Sequence, residues 1–193
     1  MTERYWIWAN EPTAEEDAMI YGVPPVIATL GLLFNQGRLV TAPVPLIEIE
    51  RDSDSQGRLT DNLIAGGLKG LLFSSRLREL LRSTGIENLQ HFPTVLRNPT
   101  DGSETGDYTL TNVLGRIECV DRAKSVLKHP PGDPDHIEFI ESLALDTRRI
   151  RGHDLFRMGE VPEILVASER VKRACEGANI TGVRFHAPED YMF

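Results

Sequence analysis

The sequence predicts an α+β fold with a mostly antiparallel sheet, two similar helix-bearing modules and an irregular N-terminal region. Three observations lead to this prediction. A helix-containing segment occurs twice, short β-prone segments lie between its two copies, and five of the twelve prolines fall between residues 12 and 45. Short strands combined with few helices are typical of α+β domains, and proline disfavours long helices in the first third of the chain.

The most informative feature is an internal repeat. Residues 71–89 and 165–183 match without a gap when Ser74 is aligned with Ser168. Each copy contains a short apolar run, a serine, an amphipathic segment, a turn and a second apolar run. We expect each serine to cap a helix, because its hydroxyl group can accept a hydrogen bond from an N–H group of the first turn.

Each predicted helix also has an apolar stripe and a stop signal. Apolar residues recur at spacings of three and four positions, which places them on one face of a helix. They are Leu77, Leu80 and Leu81 in the first copy, and Val171, Ala174 and Cys175 in the second. Gly85 and Asn179 stand where the helices must end, and both residue types tolerate the left-handed conformation found there. The repeat therefore predicts a duplicated structural unit.

The remaining elements are predicted from β-propensity and turn residues. Strands are expected at residues 5–8, 46–50, 108–114, 116–120, 139–145 and 153–158, and loops at residues 52–57, 99–106 and 129–135. The acidic segment 11–17 is expected to form one or two helical turns capped by Thr13. A length of 193 residues fits one domain, 1–193, with an irregular part at 1–60 and a repeat-containing core at 61–190.

Charge and hydropathy restrict the partners of the protein. The net charge is −8 and the sequence pI is about 5.2. Nucleic-acid binding is not expected, since it requires clustered basic residues, whereas a basic protein partner would be attracted. The longest apolar run, residues 23–34, is short and interrupted by proline and glycine, so no membrane partner is expected. With no signal peptide at the N-terminus, we expect a cytoplasmic location.

The two cysteines, Cys119 and Cys175, show no CxxC or zinc-like spacing. We expect two reduced, buried thiols, as is usual in cytoplasmic proteins. The sequence does not show whether the two residues lie near each other.

Three segments have the residue types of a chemical site. Residues 66–70, Gly-Gly-Leu-Lys-Gly, suggest either a phosphate-binding loop or a flexible connector, and they lack the P-loop spacing. His129 and His136 would bind a metal only if their loop folded back, and a solvated loop is the alternative. His153 and Asp154 could act in base catalysis or form a strand-end pair. We predict no catalytic, cofactor-binding or metal-binding residues, and therefore no enzyme.

A series of short phrases resembles a known family. It includes residues 72–81 (Leu-Phe-Ser-Ser-Arg-Leu-Arg-Glu-Leu-Leu), 152–157 (Gly-His-Asp-Leu-Phe-Arg) and 180–183 (Ile-Thr-Gly-Val), with residues 108–125 and 143–146 between them. This order is similar to the immunity-protein family numbered eleven of bacterial polymorphic toxin systems, formerly a domain of unknown function. The resemblance covers residues 60–190 well and the N-terminal third loosely. It implies a protein that binds a cognate toxin made by the same cell and blocks it.

The resemblance further implies a basic toxin, such as a metal-dependent nuclease, which the negative charge of the chain would attract. Because the family supplies no inhibitory motif, we predict the contact surface from acidic, irregular segments. The predicted partner-binding residues are Glu15, Glu16, Asp17, Asp52, Asp54, Asp133 and Asp135. Solvated loops are the alternative for each cluster. A small enzyme with a site near His153 and Asp154, or a regulatory subunit with another partner, are the alternative functions. Self-association and the identity of the toxin stay open.

Overall fold

The structure is a computed structural model that describes residues 3–193. Its strands and α-helices, in chain order, are β1 (Tyr5–Ala9), β2 (Met19–Ile20), α1 (Pro25–Leu30), β3 (Ile47–Glu50), β4 (Asn62–Ala65), β5 (Leu71–Ser74), α2 (Ser75–Ser83), β6 (Leu89–Arg97), β7 (Glu104–Thr105), β8 (Tyr108–Val113), β9 (Arg116–Ile117), β10 (Val126–Lys128), β11 (Phe139–Ser142), α3 (Thr147–Ile150), β12 (Leu155–Met158), β13 (Leu165–Ser168), α4 (Glu169–Gly177) and β14 (Arg184–His186).

The strands form two large sheets and a two-stranded arm. The first sheet has the order β14-β1-β13-β12-β9, and the second has the order β2-β4-β5-β8-β6-β3, with β7 paired to β6. Strands β10 and β11 form the arm. Pairing is antiparallel except for β12 with β9, β2 with β4, and β3 with β6. The predicted α+β class with a mostly antiparallel sheet is confirmed.

Both large sheets contain strands from the first 60 residues. Strand β1 lies between β13 and β14, with Trp6 opposite Ala167 and Trp8 opposite Phe185. Strand β3 forms an edge of the second sheet, beside β6. These two strands confirm the predictions for residues 5–8 and 46–50. The prediction of helical turns at residues 11–17 is wrong, because this segment forms bends and tight turns without a helix.

The predicted repeat is a hairpin followed by a helix. In the first unit β4 and β5 pair and α2 follows, and in the second unit β12 and β13 pair and α4 follows. The Oγ atom of Ser74 accepts a hydrogen bond from the N–H of Leu77 at 3.2 Å, and that of Ser168 accepts one from Val171 at 3.4 Å. The predicted serine caps are confirmed. So are the left-handed helix ends, since Gly85 and Asn179 have φ angles of 80° and 51°.

Three apolar clusters form the core. The central cluster takes residues from both units, including the buried Leu77, Leu81, Val171 and Cys175 of the two helix stripes. A second cluster packs between the second sheet and the segment of residues 18–49. The third lies between the first sheet and the β10–β11 arm. The two helices therefore join the two sheets through one shared core.

Elsewhere the predicted strands are observed in shorter form, whereas α1 and the nine-residue strand β6 were not predicted. Strands β8, β9, β11 and β12 account for the four predicted strands between residues 108 and 158. The sequence analysis missed α3, whose first turn is capped by the Asp146 carboxylate through the N–H of Arg148 at 3.2 Å. Within residues 3–193, no helix combines the length and the hydropathy that a membrane crossing requires.

Candidate functional site

Asp17 is the buried centre of the acidic turn near the start of the chain. Its side chain is 0% exposed. The carboxylate accepts hydrogen bonds from the N–H groups of Thr13 and Ala14 at 2.7 and 2.9 Å, and pairs with the Arg58 guanidinium at 2.6 Å. Burial alone would raise the pKa of Asp17, but these hydrogen bonds stabilise the charged form, so its pKa is lowered. Asp17 thus fixes the turn in place.

The loop of residues 52–58 lies directly against this turn. The N–H of Arg58 donates to the carbonyl oxygen of Glu16 at 2.7 Å, and the N–H of Tyr21 donates to the Asp52 carboxylate at 2.8 Å. The approach requires glycine at position 57, because a Cβ atom there would lie 1.9 Å from the Glu16 carbonyl oxygen. Two acidic segments that are far apart in sequence are therefore neighbours.

Together these segments form what we call the acidic surface, consisting of Glu15, Glu16, Asp52 and Asp54. The side chains of Glu15, Glu16 and Asp54 are exposed, and that of Asp52 is half-buried. Five of the seven predicted partner-binding residues thus come together, with Asp17 beneath the other four. The carboxylates that point outward have few partners in the chain, so they are available to a basic partner.

Asp133 and Asp135 lie elsewhere, on the exposed loop between β10 and β11. The Asp133 carboxylate accepts the N–H of His136 at 3.1 Å, and the Asp135 carbonyl oxygen accepts the Arg122 guanidinium at 3.2 Å. Across residues 3–193, no hydrogen bond or ion pair joins this loop to the acidic surface. The sequence prediction therefore corresponds to two separate acidic regions.

A depression of about 590 Å³ opens beside Asp135. It is lined by Glu118, Val120, Asp121, Arg122, Asp135, Asp146, Arg148, Arg149 and Glu160. Hydrogen bonds from Arg148 lower the pKa of Asp146 to about 2, and the Glu160 carboxylate accepts the N–H groups of Cys119 and Val120. Much of the charge in this depression is thus neutralised within the chain.

The carboxylate of the His153–Asp154 pair, which the sequence suggested as a possible catalytic site, has a structural role. Asp154 accepts a hydrogen bond from Ser168 Oγ at 2.5 Å and another from Arg170 Nε at 3.0 Å. The bond from Arg170 is the main reason that the pKa of Asp154 is lowered. His153 is exposed, and its ring lies 6.2 Å from that of Phe156. Asp154 therefore joins the hairpin to the capped end of the helix.

The same arrangement occurs in the first unit. Asp61 accepts Ser74 Oγ at 3.0 Å and the Arg76 guanidinium at 2.7 Å. The residue before Asp61 is Thr60, so no histidine accompanies this carboxylate. Since the aspartate, serine and arginine recur without the imidazole, the set belongs to the architecture of the repeat.

The other candidate segments also have structural explanations. His129 Nδ1 lies 2.7 Å from the carbonyl oxygen of His136, so the loop folds back onto its own main chain. Among residues 3–193, no three His, Cys, Asp or Glu side chains are grouped to hold a metal ion. In the glycine-rich turn, a Cβ atom at Gly67 would lie 2.6 Å from Val23 Cγ2, and one at Gly70 would lie 2.9 Å from Phe34 Cβ. These glycines allow close packing.

The sequence analysis missed a group of exposed apolar side chains beside the acidic surface. We call it the apolar surface, and it consists of Tyr21, Val23, Leu30 and Leu33. A signal for it exists in the sequence, because residues 18–46 contain a single charged residue, Arg38, in a chain that is 26% charged.

The comparisons with known proteins concern most of the chain. A family model described as "Immunity protein family (Imm11)" matches residues 23–190 of the 193. The match includes both hairpin–helix units and most of the apolar surface, whereas the acidic turn at residues 13–17 precedes it. A search of curated proteins found no match.

Proposed function

Because this chain belongs to the Immunity protein family (Imm11), we propose that it binds a cognate toxin and neutralises it by direct protein–protein contact. One observation supports the location of the contact: the Asp17–Arg58 pair holds Glu15, Glu16, Asp52 and Asp54 on one surface. The Asp133–Asp135 loop is a second, separate contact region. The protein acts as a binding module in the cytoplasm, and residues 1–193 form one domain.

The partner in this proposal is a basic toxin, such as a nuclease. An enzyme that acts on an anionic polymer presents positive charge around its active site, and a chain of net charge −8 would be attracted to it. Close, desolvated pairs of opposite charge across such an interface are coupled by about 1.5–7 kcal/mol. Exposed pairs at the rim contribute much less.

Co-expression tests the immunity role. A candidate toxin domain, chosen from the genes that neighbour the gene for this chain, is produced in a bacterial host with and without the chain, and the two proteins are then purified together. We expect growth to be restored and an equimolar complex to be recovered. Toxicity that the chain does not relieve, with no complex, would contradict the pairing.

Charge reversal tests the acidic surface. We expect Glu15→Lys/Glu16→Lys to weaken toxin binding by about tenfold or more, mainly through a slower association rate. Glu79→Lys/Glu87→Lys is the matched control, since it changes the net charge equally at exposed positions on and after α2. Asp133→Lys/Asp135→Lys reports separately on the second region. Equal losses in all three variants would indicate only a general charge effect.

A further inference from the structure

Exposed large apolar side chains are concentrated in one part of the chain. Across residues 3–193 there are ten such side chains, and six of them fall between residues 21 and 46. They are Tyr21, Val23, Leu30, Leu33, Leu39 and Leu46. The same segment packs against the second core cluster through Ile27 and Phe34. It is therefore apolar on the side that faces the core and also on the side that faces outward.

The segment that carries four of these side chains is held against one turn of the second sheet. In the β4–β5 connection, Gly67 packs against Val23 and the carbonyl oxygen of Tyr21. Two residues later, the carbonyl oxygen of Lys69 accepts the N–H of Phe34 at 2.9 Å. The two ends of the segment 21–34 thus meet at one short turn, with α1 between them, and this arrangement forms the apolar surface defined above.

The apolar surface adjoins the acidic surface. The N–H of Tyr21 is hydrogen-bonded to the Asp52 carboxylate, and the N–H of Met19 donates to Ser55 Oγ at 2.8 Å. Tyr21 is 62% exposed although its main chain is fixed by these neighbours. Because the main chain is already ordered here, burial of this tyrosine by a partner costs side-chain entropy alone, and tyrosine is enriched among interface residues that dominate binding.

We propose that the apolar surface is the anchor by which the chain docks onto its toxin, with the acidic surface as the charged rim. This inference rests on the proposed immunity function. The partner surface would be apolar at its centre and basic on the side that meets Glu16 and Asp52. A second copy of this chain fits less well, because its own acidic rim would bring like charges together.

Side-chain truncation with a matched control tests the proposal. The probe is an inactive form of the candidate toxin domain used for co-expression, and its affinity for the full chain is measured by calorimetry. Tyr21→Ser/Leu33→Ser removes side chains that are 62% and 51% exposed. Val126→Ser/Met192→Ser removes side chains that are 50% and 70% exposed elsewhere. We expect the first variant to bind about tenfold or more weakly, and the control to bind as the wild type does.

The outcomes separate this proposal from the one on which it rests. A wild-type chain that does not bind the toxic domain contradicts the immunity function itself. If the wild-type chain binds and the affinity of the Tyr21→Ser/Leu33→Ser variant is within about twofold of the wild-type affinity, only the anchor proposal is overturned. A wild-type dimer that this variant converts into monomers also overturns it, since the surface would then join two copies. If the double variant does not fold, the affinity of the single variant Tyr21→Lys is measured in its place and judged by the same threshold, because a charge at this exposed position leaves the core intact.

Discussion

Arg76 and Arg170 make the same contact in opposite directions across the pair of helices. The Arg76 guanidinium donates to the carbonyl oxygen of Ala178, and the Arg170 guanidinium donates to that of Thr84. Thr84 and Ala178 occupy equivalent positions at the ends of α2 and α4, where carbonyl groups lack partners within the helix. Such an exchange characterises symmetric dimers, and here it occurs between two units of one chain.

Removing either arginine should destabilise the fold. Each also pairs with the aspartate of its own unit, but both arginine side chains are about half exposed, so solvent weakens that pair. We expect Arg76→Ala and Arg170→Ala each to lower the free energy of unfolding by about 1 kcal/mol and the Tm by about 2–4 °C. Thermal unfolding followed by circular dichroism gives the values. Arg82→Ala, on the exposed face of α2, is the control, and a loss as large as theirs would contradict this interpretation.

The serine caps test whether the chain unfolds as one domain. We expect Ser74→Ala and Ser168→Ala each to cost about 1–2 kcal/mol, since each removes a cap and an aspartate partner. Tryptophan fluorescence reports on β1, and far-ultraviolet circular dichroism reports on the whole chain. If the shared core makes 1–193 one unit, the urea midpoints of the two probes should coincide in each variant. Separate midpoints would show two domains.

Stability should depend on pH through Asp17. Its pKa is lowered in the folded chain, so its contribution is complete above the ordinary aspartate pKa of about 3.9 and is lost as the pH falls through the folded value. Asp17→Asn should therefore destabilise the protein at pH 7 by about 1–3 kcal/mol and by less near pH 3, which lies below the ordinary aspartate pKa. Urea unfolding at the two pH values measures this. A difference that is the same at both would exclude an electrostatic role.

Both thiols should be unreactive in the folded protein. Burial raises the pKa of Cys119 and of Cys175 to about 12, so neither forms a thiolate at neutral pH. They belong to different core clusters, and both are free. We expect a colorimetric thiol reagent at pH 8 to label neither residue until denaturant is added, and then both. Rapid labelling of the native chain would show that one of the clusters opens.

The helix of each unit was predictable from local sequence, but its hairpin was not. Helix geometry relates residues that are close in sequence. The capping serine, the apolar stripe and the left-handed residue at the helix end therefore occur at fixed spacings that can be read locally. The aspartate that completes the unit is thirteen residues before Ser74 in one copy and fourteen before Ser168 in the other. This one-residue difference falls in the hairpin turn and removes Asp61 and Asp154 from a gap-free alignment.

Of the candidate site, only the acidic residues could be predicted from the sequence, and their arrangement in space could not. The acidic residues are visible in the sequence, yet nothing local shows that Asp17 is buried or that Arg58 brings the two acidic segments together. The apolar surface was missed for a different reason. In a proline-rich segment without helical or strand periodicity, sequence alone does not separate the inward Phe34 from the outward Leu33.

The position of β1 between β13 and β14 also has a consequence for synthesis on the ribosome. β1 (Tyr5–Ala9) is made long before both of its neighbours, β13 (Leu165–Ser168) and β14 (Arg184–His186). At 5–20 residues per second, roughly 10–30 s pass before those partners emerge. During this interval Tyr5–Ala9, with two tryptophans, has no strand to pair with, and such distant pairing slows folding. The newly made chain thus has a late closing step, in which β13 and β14 add on either side of β1.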